Sequence, residues 1–211
     1  MTTISVPVGG VRKKSLLWDY LTTVDHKKIA HLYFWTGLVY FLIGGLEALL
    51  IRTQLAVPLN HVLDGKAYNE VLAMHGTTMI FFVAMPLLFA LMNAVVPLQI
   101  GARDLAFPFV NALSYWLYFF GALLTHVSFL TGDVPQGGWT GYFPLAHPDY
   151  TGYGMSYYAM GLQLSGLGTL LTGINFVATI VNHRAPGMTY MRMPLFTWTT
   201  LVASILIMFA F

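Results

Sequence analysis

One histidine stands inside a long apolar stretch of the chain. His75 lies in the segment MHGTTMIFF, near the start of a run that could cross a bilayer. An imidazole in hydrocarbon is costly unless it is hydrogen-bonded or bound to a metal. Because the chain has no cysteine, histidine is the natural axial ligand for a heme iron. His75 therefore has two interpretations: a heme ligand, or a packing histidine whose nitrogens are hydrogen-bonded.

The other histidines stand in loops or near the ends of apolar runs. We interpret them as surface or interfacial residues rather than ligands. They are His26, His31, His61, His126, His147 and His183.

Three residues that could donate hydrogen bonds lie on the same side of the membrane as His75. Arg52 closes the first apolar run in the segment LLIRTQL, and Tyr68 and Trp139 fall in the outer connections. An arginine at a helix end commonly snorkels to the interface, and aromatic residues commonly anchor there. The alternative is that these side chains meet negatively charged groups at the outer rim of a buried cofactor, close to His75.

Polar residues at the other side predict a different chemistry. Asp104 stands in the short link IGARDLAFP, and Asn93, Asn111 and Asn175 fall at a similar inner depth. Amides in a bilayer must find hydrogen-bonding partners or water. One interpretation is that the asparagines hydrogen-bond helices to one another. The other is that they line a hydrated proton path, which has the Asp104 carboxylate at its entrance and which Ser165 continues.

A second carboxyl group lies within the outer half of the first apolar run. Glu47 stands in the segment GGLEALL. A carboxyl group at that depth is protonated, paired with a partner, or part of a ligand site.

The elements that must position these residues are membrane-spanning helices. The chain has 211 residues, of which 57% are hydrophobic and 9% charged, whereas about 25% of a soluble domain is charged. Long apolar runs predict helices, since backbone polar groups must be satisfied within each segment. We predict an all-α, polytopic transmembrane helix bundle with five spans, at Ile29–Ile51, Val71–Leu98, Phe107–Thr131, Tyr157–Val181 and from Phe196 to the end.

The last predicted span is short for a membrane crossing, which needs about 20 residues. It also stops at Phe211 within an apolar run. We therefore expect the sequence to be a fragment of a longer protein. The net charge of +2 gives no indication of a nucleic-acid partner.

Basic residues predict the orientation. The N-terminal segment with the second and fourth connections carries eight Lys and Arg residues, and the first and third connections carry two. The positive-inside rule places the N-terminus in the cytoplasm. We expect residues 1–28 to form a cytoplasmic segment and residues 29–211 the transmembrane part, with a lipid bilayer around it.

The fourth span carries small residues at every fourth position, which lets helix backbones approach closely. This pattern predicts a tightly packed bundle rather than a wide aqueous pore. The residues are Gly161, Ser165, Thr169 and Gly173.

Several long segments resemble subunit I of the heme–copper oxidases, in the same order as in that family. The resemblance implies that the chain holds five of the family's twelve helices, and the IGARD form is similar to that of bacterial members. The segments are WDYLTTVDHKKIAHLY, IRTQL, YNEVLAMHGTTMIFF, NAVVPLQIGARDLAFPFVNALSYW, GGWTGYFPL, GINFVATIVNHRAPGMT and RMPLFTWT.

The resemblance implies a cofactor role for each outer residue. His75 matches an axial ligand of the low-spin heme, which is expected to be heme A. Arg52 matches the arginine that hydrogen-bonds a ring substituent of that heme, and Tyr68 matches a tyrosine near its propionate. Trp139 matches a tryptophan close to the propionates of the oxygen-binding heme.

The resemblance also implies roles for the inner residues. Asp104 matches the entrance acid of the proton channel that is named after an aspartate. The matching lining residues are Asn93, Asn111, Asn175, Tyr33 and Ser165.

By resemblance, the whole protein is a multi-pass protein of the bacterial cell membrane. It would oxidise cytochrome c through a copper-bearing subunit II, assemble with subunit III, reduce oxygen to water and pump protons. The second axial histidine and the ligands of the second heme and of copper would lie in later helices.

Two alternatives remain open. Quinol-oxidising relatives carry an arginine and a histidine where this chain has Ile43 and Ala67, although they share acids with Glu47 and Glu70. Half of a quinol site is thus missing, which favours cytochrome c. The other alternative is a multi-spanning proton transporter without heme, in which His75 would be a proton relay.

Overall fold

The computed structural model describes residues 15–210, so Arg12, Lys13, Lys14 and Phe211 lie outside the described residues. Within that range all regular secondary structure is helical, which confirms the predicted fold class. The elements are α1 (Leu16–Leu21), α2 (His26–Gln54), α3 (Gly65–Thr77), a π-helical segment (Thr78–Ala84), α4 (Met85–Ile100), α5 (Pro108–Thr131), α6 (Pro148–Thr151), α7 (Gly154–Asn182), a 3-10 turn (Tyr190–Arg192) and α8 (Leu195–Ala210).

Four of the helical runs described are long and apolar enough to cross a membrane. They are α2, the continuous run from α3 to α4, α5 and α7, and they match the first four predicted spans. The fifth predicted span corresponds to α8, an apolar helix of 16 residues. Large apolar side chains on the outside of the bundle are exposed, as hydrocarbon surroundings require.

Several helices begin earlier than hydropathy predicts, and two of them begin at an aspartate cap. The Asp25 carboxylate accepts from the backbone N–H of Lys27 at 2.8 Å, and the Asp64 carboxylate accepts from that of Ala67 at 2.7 Å. Each carboxylate thus accepts from a backbone N–H of the first helical turn, which has no partner within the helix. The second run therefore starts at Gly65 rather than Val71, and Tyr68 lies inside α3.

The run from α3 to α4 is interrupted by a π-helical segment followed by Pro86. A proline has no N–H for the carbonyl four residues earlier, and here that carbonyl belongs to Phe82. The Tyr118 hydroxyl of α5 donates to the Phe82 carbonyl oxygen at 3.1 Å. A side chain from another helix thus satisfies a backbone acceptor that the proline leaves open.

Helices α5 and α7 approach one another closely at glycines. A Cβ atom added to Gly161 would lie 2.7 Å from the Gly121 carbonyl oxygen, and one added to Gly121 would lie 2.7 Å from the Ser165 nitrogen. Only glycine permits this backbone approach. The small-residue pattern of the fourth span is thereby confirmed as a helix-packing surface.

Candidate functional site

His75 lies in α3 and is held by the backbone of α2. Its Nδ1 is 2.9 Å from the carbonyl oxygen of Gly44. A carbonyl only accepts, so Nδ1 carries the proton. The approach depends on Gly44, because a Cβ atom there would lie 2.8 Å from the Met79 sulfur.

This arrangement fits an iron ligand. Metal-binding histidines usually donate their second ring N–H to a carbonyl or carboxylate, which fixes the tautomer and the ring orientation. With Nδ1 engaged, the lone pair of Nε2 is left for a metal. The ring is partly exposed, and Nε2 has no hydrogen-bond partner among residues 15–210.

Trp139 lies against Gly76, the residue that follows His75. Its Cβ would lie 3.3 Å from a Cβ atom added to Gly76, and its ring centroid is 6.3 Å from that of Phe81. The Trp139 carbonyl accepts a hydrogen bond from the Tyr158 hydroxyl of α7. The Trp139 side chain itself remains about half exposed.

Arg52 and Tyr68 lie further toward the same end of the bundle. Arg52 is in the last turn of α2, about 12 Å beyond Gly44 along the axis, and Tyr68 is about 10 Å before His75, at 1.5 Å per residue. Arg52 is exposed and forms no ion pair or hydrogen bond with the part of the chain that the structure describes. Tyr68 is partly buried beside Gln54 and Asn69.

Asp104 lies at a cavity of about 390 Å³ at the opposite end of the bundle. Its carboxylate accepts from the N–H of Leu105 at 2.8 Å and is partly exposed. Within residues 15–210 it forms no ion pair, although Arg103 also lines the cavity. The remaining lining residues are Asp25, His26, Lys27, Leu105 and His183.

His26 is buried, which corrects its interpretation as a surface residue. Only 2% of it is exposed, and its Nδ1 lies 2.7 Å from the carbonyl oxygen of Asn93. Hydropathy missed this residue because it precedes the apolar run. Pro97 was a sequence signal that the Asn93 carbonyl needs a donor from elsewhere, because a proline has no N–H for the carbonyl four residues earlier.

The interpretation is also wrong for His126, which lies within α5. It is partly buried and hydrogen-bonded to the Thr78 hydroxyl at 3.1 Å. The remaining four histidines are exposed, as predicted: His31, His61, His147 and His183.

Asn93 and Asn111 form one fully buried pair. The Asn111 amide nitrogen donates to the Asn93 side-chain oxygen at 2.7 Å, and the Asn93 amide nitrogen donates to the Phe89 carbonyl at 2.8 Å. The Asn111 side-chain oxygen has no partner among the described residues. A buried acceptor of this kind calls for water.

Asn175 does not join that pair. Its side chain exchanges two hydrogen bonds with the backbone of Phe107, at 2.9 and 3.0 Å. Tyr33 is fully buried against Tyr115 and Phe89, with the Thr172 side chain beside its hydroxyl. Ser165 is buried at the wall of a separate, largely apolar cavity that Thr169 also lines.

Glu47 is buried in α2, one turn from Gly44 toward Arg52. Only 6% of it is exposed, and the polar side chain beside its carboxyl group is that of Thr78. Of the alternatives drawn from the sequence, pairing with a charged side chain is not observed among these residues.

The two sites lie at opposite ends of the same helix pair. The Gly44–His75 and His26–Asn93 contacts both join α2 to the second run. They are separated by about 18 residues on each helix, roughly 27 Å at 1.5 Å per residue. That distance is close to the hydrocarbon thickness of a bilayer.

Comparison with known proteins identifies the family. The family model described as cytochrome c and quinol oxidase polypeptide I matches residues 28–211. The chain belongs to this family.

Members with both names are similar to the chain. It is 65% identical over 197 residues to cytochrome c oxidase subunit 1 of Bacillus subtilis (strain 168), covering 93% of this chain and 32% of the relative. It is 62% identical over 203 residues to cytochrome c oxidase subunit 1 of Bacillus sp. (strain PS3), covering 95% and 33%. It is 52% identical over 202 residues to quinol oxidase subunit 1 of Bacillus subtilis (strain 168), covering 95% and 31%. The chain thus spans about a third of the length of these relatives.

Proposed function

We propose that the chain is part of subunit I of a terminal respiratory oxidase that oxidises cytochrome c, reduces oxygen to water and pumps protons. The observation that carries this proposal is the hydrogen bond from His75 Nδ1 to the Gly44 carbonyl at 2.9 Å. It leaves Nε2 as the nitrogen to ligate iron. Family membership supports the same conclusion.

His75 would hold a low-spin heme, expected to be heme A. A heme bound there supplies one-electron chemistry at its iron. Arg52 would donate to a ring substituent at the outer rim, where its positive charge favours the reduced state. Tyr68 and Trp139 would hydrogen-bond or pack against propionates. The position of all four residues at one end of the bundle supports this assignment.

Asp104 would collect protons at the inner face. Its carboxylate lies at a cavity open to the inner end of the bundle, and an ionised carboxylate attracts protons. Asn93, Asn111 and Tyr33 would order water beyond it, because amides and hydroxyls donate and accept without changing charge. The buried Asn111 side-chain oxygen, which has no partner among the described residues, supports a hydrated path.

Asn175 and Ser165 would line the same path at its α7 wall. Asn175 also ties the start of α5 through Phe107. Its role would therefore be to fix the wall, while Ser165, beside Thr169, would extend the path outward.

Cytochrome c is the electron donor we favour, through a copper-bearing subunit II in a complex with subunit III. Two relatives named cytochrome c oxidase subunit 1 are 65% and 62% identical to the chain, against 52% for one named quinol oxidase subunit 1. The apolar Ile43 and Ala67 stand where quinol-oxidising relatives would carry polar groups. Turnover with reduced cytochrome c against quinol distinguishes the two donors.

The proposed location is the bacterial cell membrane, with a cytoplasmic segment at residues 1–28. Residues 29–211 would form the heme-binding and proton-conducting part. Basic residues at the Asp104 end of the bundle, Lys27 and Arg103 among them, support an inward-facing N-terminus.

The test is a visible spectrum of the full-length oxidase with His75 replaced by Ala. We expect loss of the six-coordinate heme band. The control is His31→Ala, which removes an exposed histidine of α2 and should leave the band intact. A spectrum without any low-spin heme, or one unchanged by His75→Ala, would favour the heme-free proton transporter.

A further inference from the structure

The second helical run contains two prolines about three turns apart, and each leaves a carbonyl without its usual backbone donor. For Pro86 the carbonyl is that of Phe82, which accepts from the Tyr118 hydroxyl at 3.1 Å. For Pro97 it is that of Asn93, which accepts from His26 at 2.7 Å. A donor from a neighbouring helix replaces the missing N–H in both places.

We infer that His26 is a positioning residue of the proton path, because it holds the Asn93 backbone that Pro97 leaves untied. The inference rests on the proposed function of that path. His26 is 2% exposed and Asn93 is fully buried, so the bond is shielded from solvent. The two residues are 67 positions apart in sequence, and the bond fixes α2 against α4.

The bond acts on the path through the Asn93 side chain. That side chain accepts from the Asn111 amide at 2.7 Å, while the same residue's carbonyl accepts from His26. A rotation of the Asn93 peptide would therefore move the pair that orders water. A buried carbonyl without a donor would also take up water itself, in competition with the path.

The donor role does not depend on the charge of the ring. Because the Asn93 carbonyl only accepts, Nδ1 keeps its proton in both the neutral and the cationic ring. His26 is also one of the residues that line the cavity at Asp104. His26 thus joins the entrance of the path to its first amide pair without having to carry the proton.

The test compares His26→Leu with His26→Asn in the full-length oxidase complex. An asparagine amide nitrogen occupies nearly the position of a histidine Nδ1, so it can still donate. We expect His26→Leu to slow proton uptake by about tenfold, as the loss of a buried hydrogen bond predicts. The asparagine variant should recover most of the rate.

The decisive variant restores the backbone donor. Ala at position 97 has an N–H for the Asn93 carbonyl, so Pro97→Ala should rescue His26→Leu. The readouts are the rate of proton uptake, its slowing in D₂O and the heme spectrum, which should not change because His75 lies at the opposite end. A merely structural role would lower heme content without altering the isotope effect.

Equal uptake in the leucine and asparagine variants, or no rescue by Pro97→Ala, would overturn the inference. Should His26→Leu fail to assemble, His26→Gln takes its place. Its amide nitrogen lies one bond further out, and we expect slower uptake than in His26→Asn. Asp104→Asn separates the two proposals: slow uptake there with normal uptake in the His26 variants refutes the positioning role alone. Normal uptake in Asp104→Asn refutes the path itself.

Discussion

The Nδ1 nitrogen of His75 donates to the carbonyl oxygen of Gly44 across 2.9 Å. The orientation of the proposed heme ligand is therefore set by the backbone of another helix. This bond requires α2 and α3 to stay close, and the missing side chain of Gly44 permits that distance. Any group that separates the two helices at this point should disturb the ligand.

Gly44→Val is expected to lower the heme content of the assembled oxidase. The first added carbon would lie 2.8 Å from the Met79 sulfur and 3.3 Å from the Thr78 methyl group. Overpacking of this kind costs about 1–3 kcal/mol, and it weakens the His75 bond by moving its acceptor. Heme content per protein and the position of the low-spin band measure the effect.

Gly45→Val is the matched control for this substitution. A Cβ atom there meets nothing within 4 Å among the described residues. We expect heme content close to that of the unmodified oxidase. Similar losses in both variants would show that helix propensity, rather than the contact with Thr78 and Met79, is responsible.

Tyr118→Phe is expected to destabilise the bundle. It removes the donor to the Phe82 carbonyl, and a buried acceptor left without a partner costs about 1–3 kcal/mol. The melting temperature of the purified oxidase should fall. The variant should still accept electrons from the same donor, and its heme spectrum should not change. Thermal unfolding followed by loss of the heme spectrum measures the change.

Pro86→Ala should compensate for the loss in the Tyr118→Phe background. The new N–H can reach the Phe82 carbonyl, so the hydroxyl becomes dispensable. Additive effects of the two substitutions on the melting temperature would contradict this explanation.

Hydropathy was sufficient to predict the spans but not their ends. The helix that begins at Gly65 runs through the polar residues KAYNE before it becomes apolar. Its start is fixed by the Asp64 cap, a local hydrogen bond that an average over many residues does not detect. The same reason explains why the start of α2 at His26 was missed.

The sorting of His75 and Asp104 to opposite ends could be predicted, because helix order and basic residues determine it. The donors to the carbonyls that Pro86 and Pro97 leave without a backbone N–H could not be predicted. Pro86 and Pro97 indicate that two acceptors are open, but the donors, Tyr118 and His26, come from other helices. Their identity depends on how α2 and α5 rotate against α4, and a single sequence does not record that rotation.

Asp104→Asn is expected to slow proton uptake by at least about tenfold, as the loss of a proton-transferring group predicts. The amide keeps the shape of the side chain but cannot collect a proton. The heme spectrum should stay unchanged, because His75 lies at the opposite end of the bundle from the Asp104 cavity. Proton uptake and pumping in vesicles containing the oxidase measure the effect.

Asp19→Asn is the control for charge at the same face. Asp19 pairs with Lys28 at 2.6 Å and is partly exposed, so its loss removes one carboxylate outside the Asp104 cavity. We expect normal uptake. Normal turnover and pumping in the Asp104 variant would remove the assignment of this residue to the path.

Arg52→Gln is expected to lower the potential of the low-spin heme while ligation by His75 persists. A positive charge near a heme stabilises the reduced iron, and a loss of about 1.4 kcal/mol corresponds to about 59 mV for one electron. A redox titration followed in the visible band measures the shift.

Lys66→Gln is the control, because it removes a positive charge that is already paired with Glu70 at 3.6 Å at the same end. It should leave the potential nearly unchanged. Equal shifts in the two variants would mean that the heme senses only the general charge of this face, and an unchanged titration in Arg52→Gln would mean that the arginine does not reach the heme.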